Sequence, residues 1–356
     1  MSKKKYLEIN GAFGEGGGSI LRIAAGFSLL FDQPIRIFNI RANRPQRGLR
    51  LQHLLGLQTL AKLTGSQLNA INGECKIGTE EITFNPNLRI KDHLNVNVDT
   101  AASIGLLIQP IQISSLRFSH NDQIMISIKG GGTFGKWAPS LNYLMNVTYP
   151  FFKMSGLELV IKIEEFGFYP KGGALTKCKI LPPKMKLKPL NLTELGNIDL
   201  IEGEIIVSNL IQKDIGERIK NSIRREIKRN TNFEMDISCS RVKSISPGVG
   251  VCLWAHSDSG AIISSGTILG ERNLSSERLG KVASREILKY VFNQIPVDNY
   301  LSDQLIPLMA FVKESSSIKV LEITSHTKTN LELVKLFTNR DYEIIQDKKS
   351  LIIKYF

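Results

Sequence analysis

The feature that most constrains this chain is an order of elements that recurs. Tyr6–Asn10 reads as a strand, the cluster Gly14, Gly16, Gly17 and Gly18 follows, and the pattern predicts a helix over about Ser19–Phe31. A strand at Ile35–Ile40, a helix at Leu51–Leu63 stopped by Gly65, and strands near Gln67–Ile71 and Lys76–Phe84 complete the order βαβαββ. The order then returns as strand Leu94–Val98, helix Thr100–Ile113, strand Gln123–Ile128, the Gly130–Gly132 cluster, a helix from about Pro139 to Met154, and strands Leu157–Glu164 and Ala174–Ile180. The C-terminal stretch repeats most of it, as helix Tyr300–Phe311, strand Ile318–Ile323, helix Thr327–Thr338 and strands Tyr342–Gln346 and Leu351–Phe356. The expected fold class is therefore α+β, with three repeated βαβαββ-type units, each laying its helices on one face of a sheet.

One stretch does not fit this order. A Lys-rich connector, Pro182–Asn191, leads into strand Ile198–Ser208, helix Lys213–Arg229, strand Met235–Val242, hairpin Val249–Thr267 and helix Ser275–Phe292. This reads as a smaller inserted α/β domain, as befits a chain of 356 residues, too long for one ordinary domain. The expected division is 1–183 for the first part of a large domain with repeats 1 and 2, 184–295 for the insert, and 296–356 for repeat 3. In the first insert helix Ile215, Ile219, Ile223 and Ile227 make one apolar stripe, and Arg218, Lys220, Arg224, Arg225, Lys228 and Arg229 cover much of the rest. That face either contacts an RNA backbone or is simply solvated, with Glu217 and Glu226 as partners; the commonness of charged faces on amphipathic helices favours the second.

The net charge of +13 points to polyanionic partners such as RNA or nucleotides, or to a generically basic protein. No apolar run approaches a membrane span, and Lys3–Lys5 are not followed by the apolar core of a secretory signal, so a cytoplasmic protein with no membrane contact is expected. Cys75, Cys178, Cys239 and Cys252 show neither C-x-x-C nor metal-ligand spacing and read as buried thiols.

Three stretches hold candidate chemistry. In GAFGEGGGSILR, Gly11–Arg22, adjacent glycines end where a helix begins, which lets backbone N–H groups approach an anion. No Walker A lysine follows. Glu15 within such a site suits a divalent cation, and Arg22 lies one turn into the helix, within reach of a phosphate. In NIRANRPQRGLRLQH, Asn39–His53, the residues Arg41, Arg44, Arg47 and Arg50, with Arg36 just before, crowd one strand-to-helix loop without an acid, which favours phosphate or RNA binding. Gln52 is placed to face a ligand, whereas His53 falls within the apolar pattern and reads as a packed histidine. In EITSHTKTN, Glu322–Asn330, His326 falls at a helix N-terminus, where the helix dipole disfavours imidazolium and keeps the ring a neutral nucleophile. A lone histidine in a polar cap would look the same. His93, His120 and His256 lie beside turn residues without basic or glycine-rich company.

Taken together, GEGGGSILR, NIRANRPQRGLRLQH, GGGTFGKWAPSLNY, GFYPKGGA, YLSDQLIPLMA and SHTKTN resemble the motifs of the RNA 3′-terminal phosphate cyclase family in type and order, across nearly the whole chain. The resemblance implies a large domain of three βαβαββ-type units with a thioredoxin-like insert. It implies a ligase that uses ATP and a divalent metal, Mg or Mn, to convert the 3′-terminal phosphate of an RNA into a 2′,3′-cyclic phosphate through a histidine–AMP intermediate and an RNA-adenylate. His326 is similar to the family's nucleophile and Glu15 to its metal-binding carboxylate. Arg22, Arg41, Arg44, Gln52 and Gln109 resemble the phosphate-contacting set. Tyr300, Asp303 and Gln304 resemble the nucleotide-binding set, with Tyr300 stacking on adenine and Pro139 on its other face. The sequence departs from the family where a GTAGS-like segment reads DTAAS, Asp99–Ser103, and where Phe134–Gly135–Lys136 replaces a more polar stretch. The alternative is a non-catalytic cyclase-like RNA-binding protein of ribosome assembly, which shares the fold and lacks the histidine. An enolpyruvyl transferase, built from similar units, is more distant.

Overall fold

The structure is a computed structural model, and it describes residues 5–14, 16–71, 73–119, 123–212 and 214–356. Glu15, His120 and Lys213, all named above, lie outside the described residues.

The chain is mixed α+β, with several small mixed sheets. β1 (Leu7–Asn10), α1 (Gly18–Leu30), β2 (Ile35–Phe38), α2 (Leu51–Thr64), β3 (Gln67–Ala70) and β4 (Ile82–Asn85) come first. Their sheet has the order β1-β2-β4-β3, with β1 and β2 parallel and β4 antiparallel to both its neighbours. β5 (His93–Ser103), α3 (Ile104–Ser115), β6 (Ile124–Gly132), α4 (Leu141–Tyr143), a π-helical turn at Leu144–Thr148, α5 (Tyr149–Ser155), β7 (Glu158–Glu165) and β8 (Leu175–Leu181) follow. They make a second sheet of order β5-β6-β8-β7 with the same pattern of parallel and antiparallel pairs.

After β9 (Asn191–Leu192), the elements β10 (Leu200–Ser208), α6 (Ile215–Asn230), β11 (Glu234–Val242), β12 (Val249–His256), β13 (Ile262–Ser264), β14 (Ile268–Leu269) and α7 (Ser276–Phe292) build a sheet of order β11-β10-β12-β13, with β14 also beside β12. The chain ends with α8 (Asn299–Phe311), β15 (Ser316–Val320), α9 (Ser325–Phe337), β16 (Tyr342–Asp347) and β17 (Ser350–Tyr355). Here β9 returns to lie parallel to β15, giving β16-β17-β15-β9, once more with the pairing pattern of the first two sheets.

α1 is the hub that positions the site. Its sequence GSILRIAAGFSLL is apolar on nearly every side, and every residue from Ser19 to Leu30 is buried. It packs on α3 at Gly26, where a Cβ would meet Ile113 Cβ at 2.9 Å, and on α9 through Phe27 and Phe337, edge-on at 5.5 Å. With its flanks enclosed, its glycine-rich N-terminus is held in place.

Three local differences from the sequence reading have physical reasons. Thr100–Ser103 is strand, not helix: β5 runs on until Ser103 pairs with Gly132, and the Ser103 hydroxyl then accepts the Leu106 N–H at 3.3 Å as the cap of α3. Lys76–Glu81 is not strand, because Gly78 at φ +86° makes a turn there. Asn191–Leu192, in the connector, is a strand too short for a periodic signal. Elsewhere Ile219, Ile223 and Ile227 bury the α6 stripe as expected, with Ile215 partly buried. Of the cysteines, Cys178 and Cys252 are buried and Cys75 and Cys239 half-buried, all as free thiols.

Phe134, in the departing FGK stretch, is a packing residue. It is 3% exposed, stacks on Phe168 at 5.4 Å with planes 1° apart, and rests on Gly250 of β12, while Phe168 rests on Gly248. A Cβ on either glycine would fall within about 2.3 Å of a ring atom, so the two glycines let the second sheet and the β10–β12 sheet meet through aromatic faces.

Candidate active site

The floor of the site is the N-terminal end of α1. Gly17 is its N-cap and brings no side chain, and Gly18 opens the helix. A Cβ on Gly18 would fall 1.9 Å from His53 Nε2, so only glycine allows this approach between α1 and the first turn of α2. Gly14, at φ +57°, is the loop's other close approach: a Cβ there would fall 2.5 Å from Thr329 Oγ1 of α9.

Cations gather around this floor. Arg22 is 6% exposed, and its Nε donates to Gln109 Oε1 of α3 at 2.9 Å, so two residues of the expected phosphate-contacting set, 87 apart in sequence, share a hydrogen bond. The arginine loop is pinned at its base: the N–H of Gly48 donates to Ile40 O at 2.8 Å, that of Ile40 to Glu80 O at 3.0 Å, that of Leu49 to Thr79 O at 2.9 Å and that of Gly78 to Leu49 O at 2.8 Å. Arg41 then turns at φ +56°. Partial burial, with Arg44 and Arg50 beside it, lowers its pKa. His53 reports the same crowding. Burial first, then the charges of Arg22, Arg41 and Arg50, bring its imidazole from the ordinary 6.5 down to about 3. Arg44 is exposed, and Gln52 is half-buried in the first turn of α2. Arg36 does not join them; its guanidinium pairs with Glu8 at 2.7 Å and with Glu81 across the first sheet.

The opposite wall is α8 and α9. Thr324 caps α9 through its hydroxyl, which accepts the Thr327 N–H at 3.0 Å, and His326 stands exposed in the first turn. Thr329 is three residues on, so His326 and Thr329 are neighbours along one face of the helix. The contact of Thr329 with Gly14 therefore turns the histidine face of α9 toward the glycine loop. Asn330 Nδ2 donates to Asp303 O at 2.8 Å, and the hydroxyls of Ser302 and Thr327 lie 2.8 Å apart, so α8 and α9 are joined at the site.

Tyr300 is 47% exposed, lies against Gly266, where a Cβ would fall 2.4 Å from its ring, and meets Tyr143 edge-on at 6.4 Å. Pro139 is brought to the same place by its neighbour: Ser140 N donates to Thr267 Oγ1 at 2.9 Å, beside Gly266. Gln304 is buried with its amide engaged at both ends, Nε2 donating to Tyr300 O at 2.8 Å and Oε1 accepting from Thr148 Oγ1 at 3.1 Å. It braces the turn that carries Tyr300.

The sequence reading passed over three contributors. Residues 78–80 clamp the arginine loop, and only Gly78 hinted at a turn. Asp298 caps α8: its Oδ1 accepts from the N–H groups of Tyr300 and Leu301 and from Tyr143 Oη, each at 2.9 Å, while burial pushes its carboxyl up to about 6. The motif Asp298–Asn299–Tyr300 before an apolar run is a readable cap signal. His53, read as packed, is packed, but against the glycine floor and three arginines.

Among the described residues no three His, Cys, Asp or Glu side chains gather as a metal site. The donors in view therefore do not make a cation site by themselves, and Glu15 lies outside the described residues. No helix among them is long and apolar enough to cross a membrane.

The family model described as RNA 3′-terminal phosphate cyclase matches residues 13–344. The chain is similar to the RNA 3′-terminal phosphate cyclase of Thermococcus gammatolerans, 34% identical over 340 residues covering 96% of this chain and 94% of the relative. It is similar to that of Pyrococcus abyssi, 34% identical with 95% of each chain covered, and to that of Staphylothermus marinus, 32% identical with 97% and 96% covered. With a family match spanning both walls of the site, the chain belongs to the RNA 3′-terminal phosphate cyclase family.

Proposed function

We propose that this enzyme converts an RNA 3′-terminal phosphate into a 2′,3′-cyclic phosphate at the expense of ATP, with His326 as the nucleophile. A ring nitrogen of His326 attacks the α-phosphorus of ATP, and pyrophosphate leaves. An oxygen of the RNA 3′-phosphate then attacks the phosphorus of the histidine–AMP adduct, freeing the imidazole and giving an RNA-adenylate. Finally the neighbouring 2′-OH attacks the 3′-phosphorus, loses its proton, and AMP leaves. DNA, lacking the 2′-OH, cannot complete the last step.

The observation that supports this reading is the close approach of Gly14 to Thr329, which lies one helical turn along α9 from the exposed His326. Around it Arg22, Arg41 and Arg44 offset phosphate charge, Gln109 orients Arg22, and Gln52, half-buried in the first turn of α2, belongs to the same set. Tyr300 offers a face to adenine with Pro139 opposite, Asp303 belongs to the nucleotide set, and Gln304 acts through Tyr300. A divalent cation, Mg or Mn, would screen the phosphates when bound, with Glu15 as its protein ligand. Three units of one pattern, each with its four-stranded sheet, form the large domain at 1–183 and 296–356. Residues 184–295 form the thioredoxin-like insert, with the strand at Asn191–Leu192 lent to the third sheet. The reading places the enzyme in the cytoplasm, with ATP and RNA as its partners. The non-catalytic alternative is not favoured, since the histidine is present and exposed.

The test is incubation with ATP labelled at the α-phosphate. The wild type forms an acid-labile protein–AMP adduct, and His326→Ala forms none. An adduct retained by His326→Ala would remove the proposed nucleophile.

A further inference from the structure

His53 is 2% exposed, yet among the described residues only one of its ring nitrogens has a hydrogen-bond partner. Nδ1 accepts the Arg50 N–H at 3.2 Å. A nitrogen that accepts carries no proton, so the neutral ring holds its proton on Nε2. Among the described residues no acceptor is bonded to that N–H. Its position is fixed beside Gly18: Nε2 lies 1.9 Å from where a Cβ of that residue would stand. In a helix the Cα–Cβ bond tilts toward the N-terminus, so Nε2 lies on the side of α1 where the first-turn N–H groups open. On a ring otherwise enclosed, a donor aimed there is free to meet an acceptor that a ligand supplies.

We propose that His53 is a phosphate-binding residue whose neutral Nε2–H donates to a phosphate oxygen at the opening of α1, between Arg22, Arg41 and Arg50. The proposal rests on the cyclase reading and adds a contact to it. A neutral donor has a specific use here. It adds a hydrogen bond without a further charge among guanidiniums that already crowd one another, and burial among cations keeps the ring from taking a second proton at neutral pH. The phosphate belongs either to the RNA end or to ATP, and the two are separable by experiment.

Two substitutions divide the roles of the ring. Asparagine keeps an acceptor near Nδ1 for the Arg50 N–H and withdraws the donor; glutamine reaches the Nε2 position with an amide N–H. In the full chain, the KM for ATP is measured in self-adenylation without RNA, and the KM for a 3′-phosphorylated oligoribonucleotide in cyclisation. His53→Asn is expected to raise one of these by about tenfold to a hundredfold, with His53→Gln recovering part of the loss. A rise for the oligonucleotide assigns the contact to the RNA end, and a rise for ATP assigns it to the nucleotide. If His53→Asn adenylates and cyclises with both constants unchanged, the contact does not exist, while the cyclase reading stands. A wild type that does not adenylate sinks the cyclase reading, and the contact is then judged by magnetic resonance of 15N-histidine-labelled wild type, which also serves if His53→Asn is unstable. There Nε2 must be the protonated nitrogen, and its proton must shift when the 3′-phosphorylated oligonucleotide or ATP is added. The opposite tautomer, or no shift with either ligand, overturns the proposal.

Discussion

Arginines occur in two settings in this molecule, and the same side chain behaves oppositely in each. On α6, Arg218 reaches Glu277 at 2.9 Å and Asp214 at 3.6 Å, and these carboxylates raise its pKa. Arg285 of α7 likewise meets Glu226 at 3.0 Å. In the loop after β2, Arg41 is half-buried and its charged neighbours are Arg44 and Arg50, so its pKa is lowered. A paired, solvated guanidinium is at rest; one held against like charges by a pinned loop is stabilised when an anion arrives. The number of arginines in a segment therefore says less about function than what the fold places beside each of them.

The sharpest way to break this comparison is to exchange like for like. Arg41→Ala is expected to lower kcat/KM for cyclisation by about a hundredfold or more, since a charge-assisted contact to phosphate is lost where water is partly excluded. Arg218→Ala should leave kcat/KM unchanged and the melting temperature within about a degree or two. Equal effects would erase the distinction.

Acid titration probes the cradle next. The folded-state pKa of His53 is depressed, to about 3 from 6.5, so unfolding takes up a proton between those values. Its contribution to stability is therefore full above pH 6.5 and is lost as the pH falls toward 3, a change on the order of a few kcal/mol. Thermal melts of His53→Asn, which cannot titrate, should show a shallower fall in melting temperature over that range than the wild type. Asp298 works with the opposite sign: raised from 3.8 to about 6, it favours the folded state most below pH 3.8 and loses that contribution as the pH rises through 6. A His53→Asn curve as steep as the wild type's would mean that the imidazole is not held neutral by its burial among arginines.

The smallest effect belongs to α6. Arg224→Glu with Arg225→Glu should leave the slope of RNA affinity against salt unchanged, as a solvated face requires. A slope flattened by one or two would move that face from the first setting into the second.

The order of elements was legible because each carries its own periodicity or cap, as the buried Ile219, Ile223 and Ile227 illustrate. Pairing was less legible. Arg36 stands in an acid-free run of sequence, but strand register brings Glu8 and Glu81 to it. The start of α3 was misread because small residues at Thr100–Ser103 suit helix and strand alike, and only the pairing of Ser103 with Gly132 decides. At the site, the histidine and arginine segments could be named from local signals. The glycine contacts that unite them, Gly14 with Thr329 and Gly18 with His53, arise from helix packing between distant segments, for which a single sequence holds no signature.

The short strand at Asn191–Leu192 sets an order of events during synthesis. The N–H of Ser317 donates to Leu190 O at 2.8 Å, and the N–H of Leu190 to Ser316 Oγ at 3.2 Å across a separation of 126 residues. The first two sheets draw their strands from adjacent stretches and can close as those stretches leave the ribosome. The third waits until the whole intervening stretch has emerged and brought its two ends together. The wall that carries His326 thus forms after the first two sheets, so a nascent chain holds its glycine-rich floor before it has the residue proposed to be adenylated.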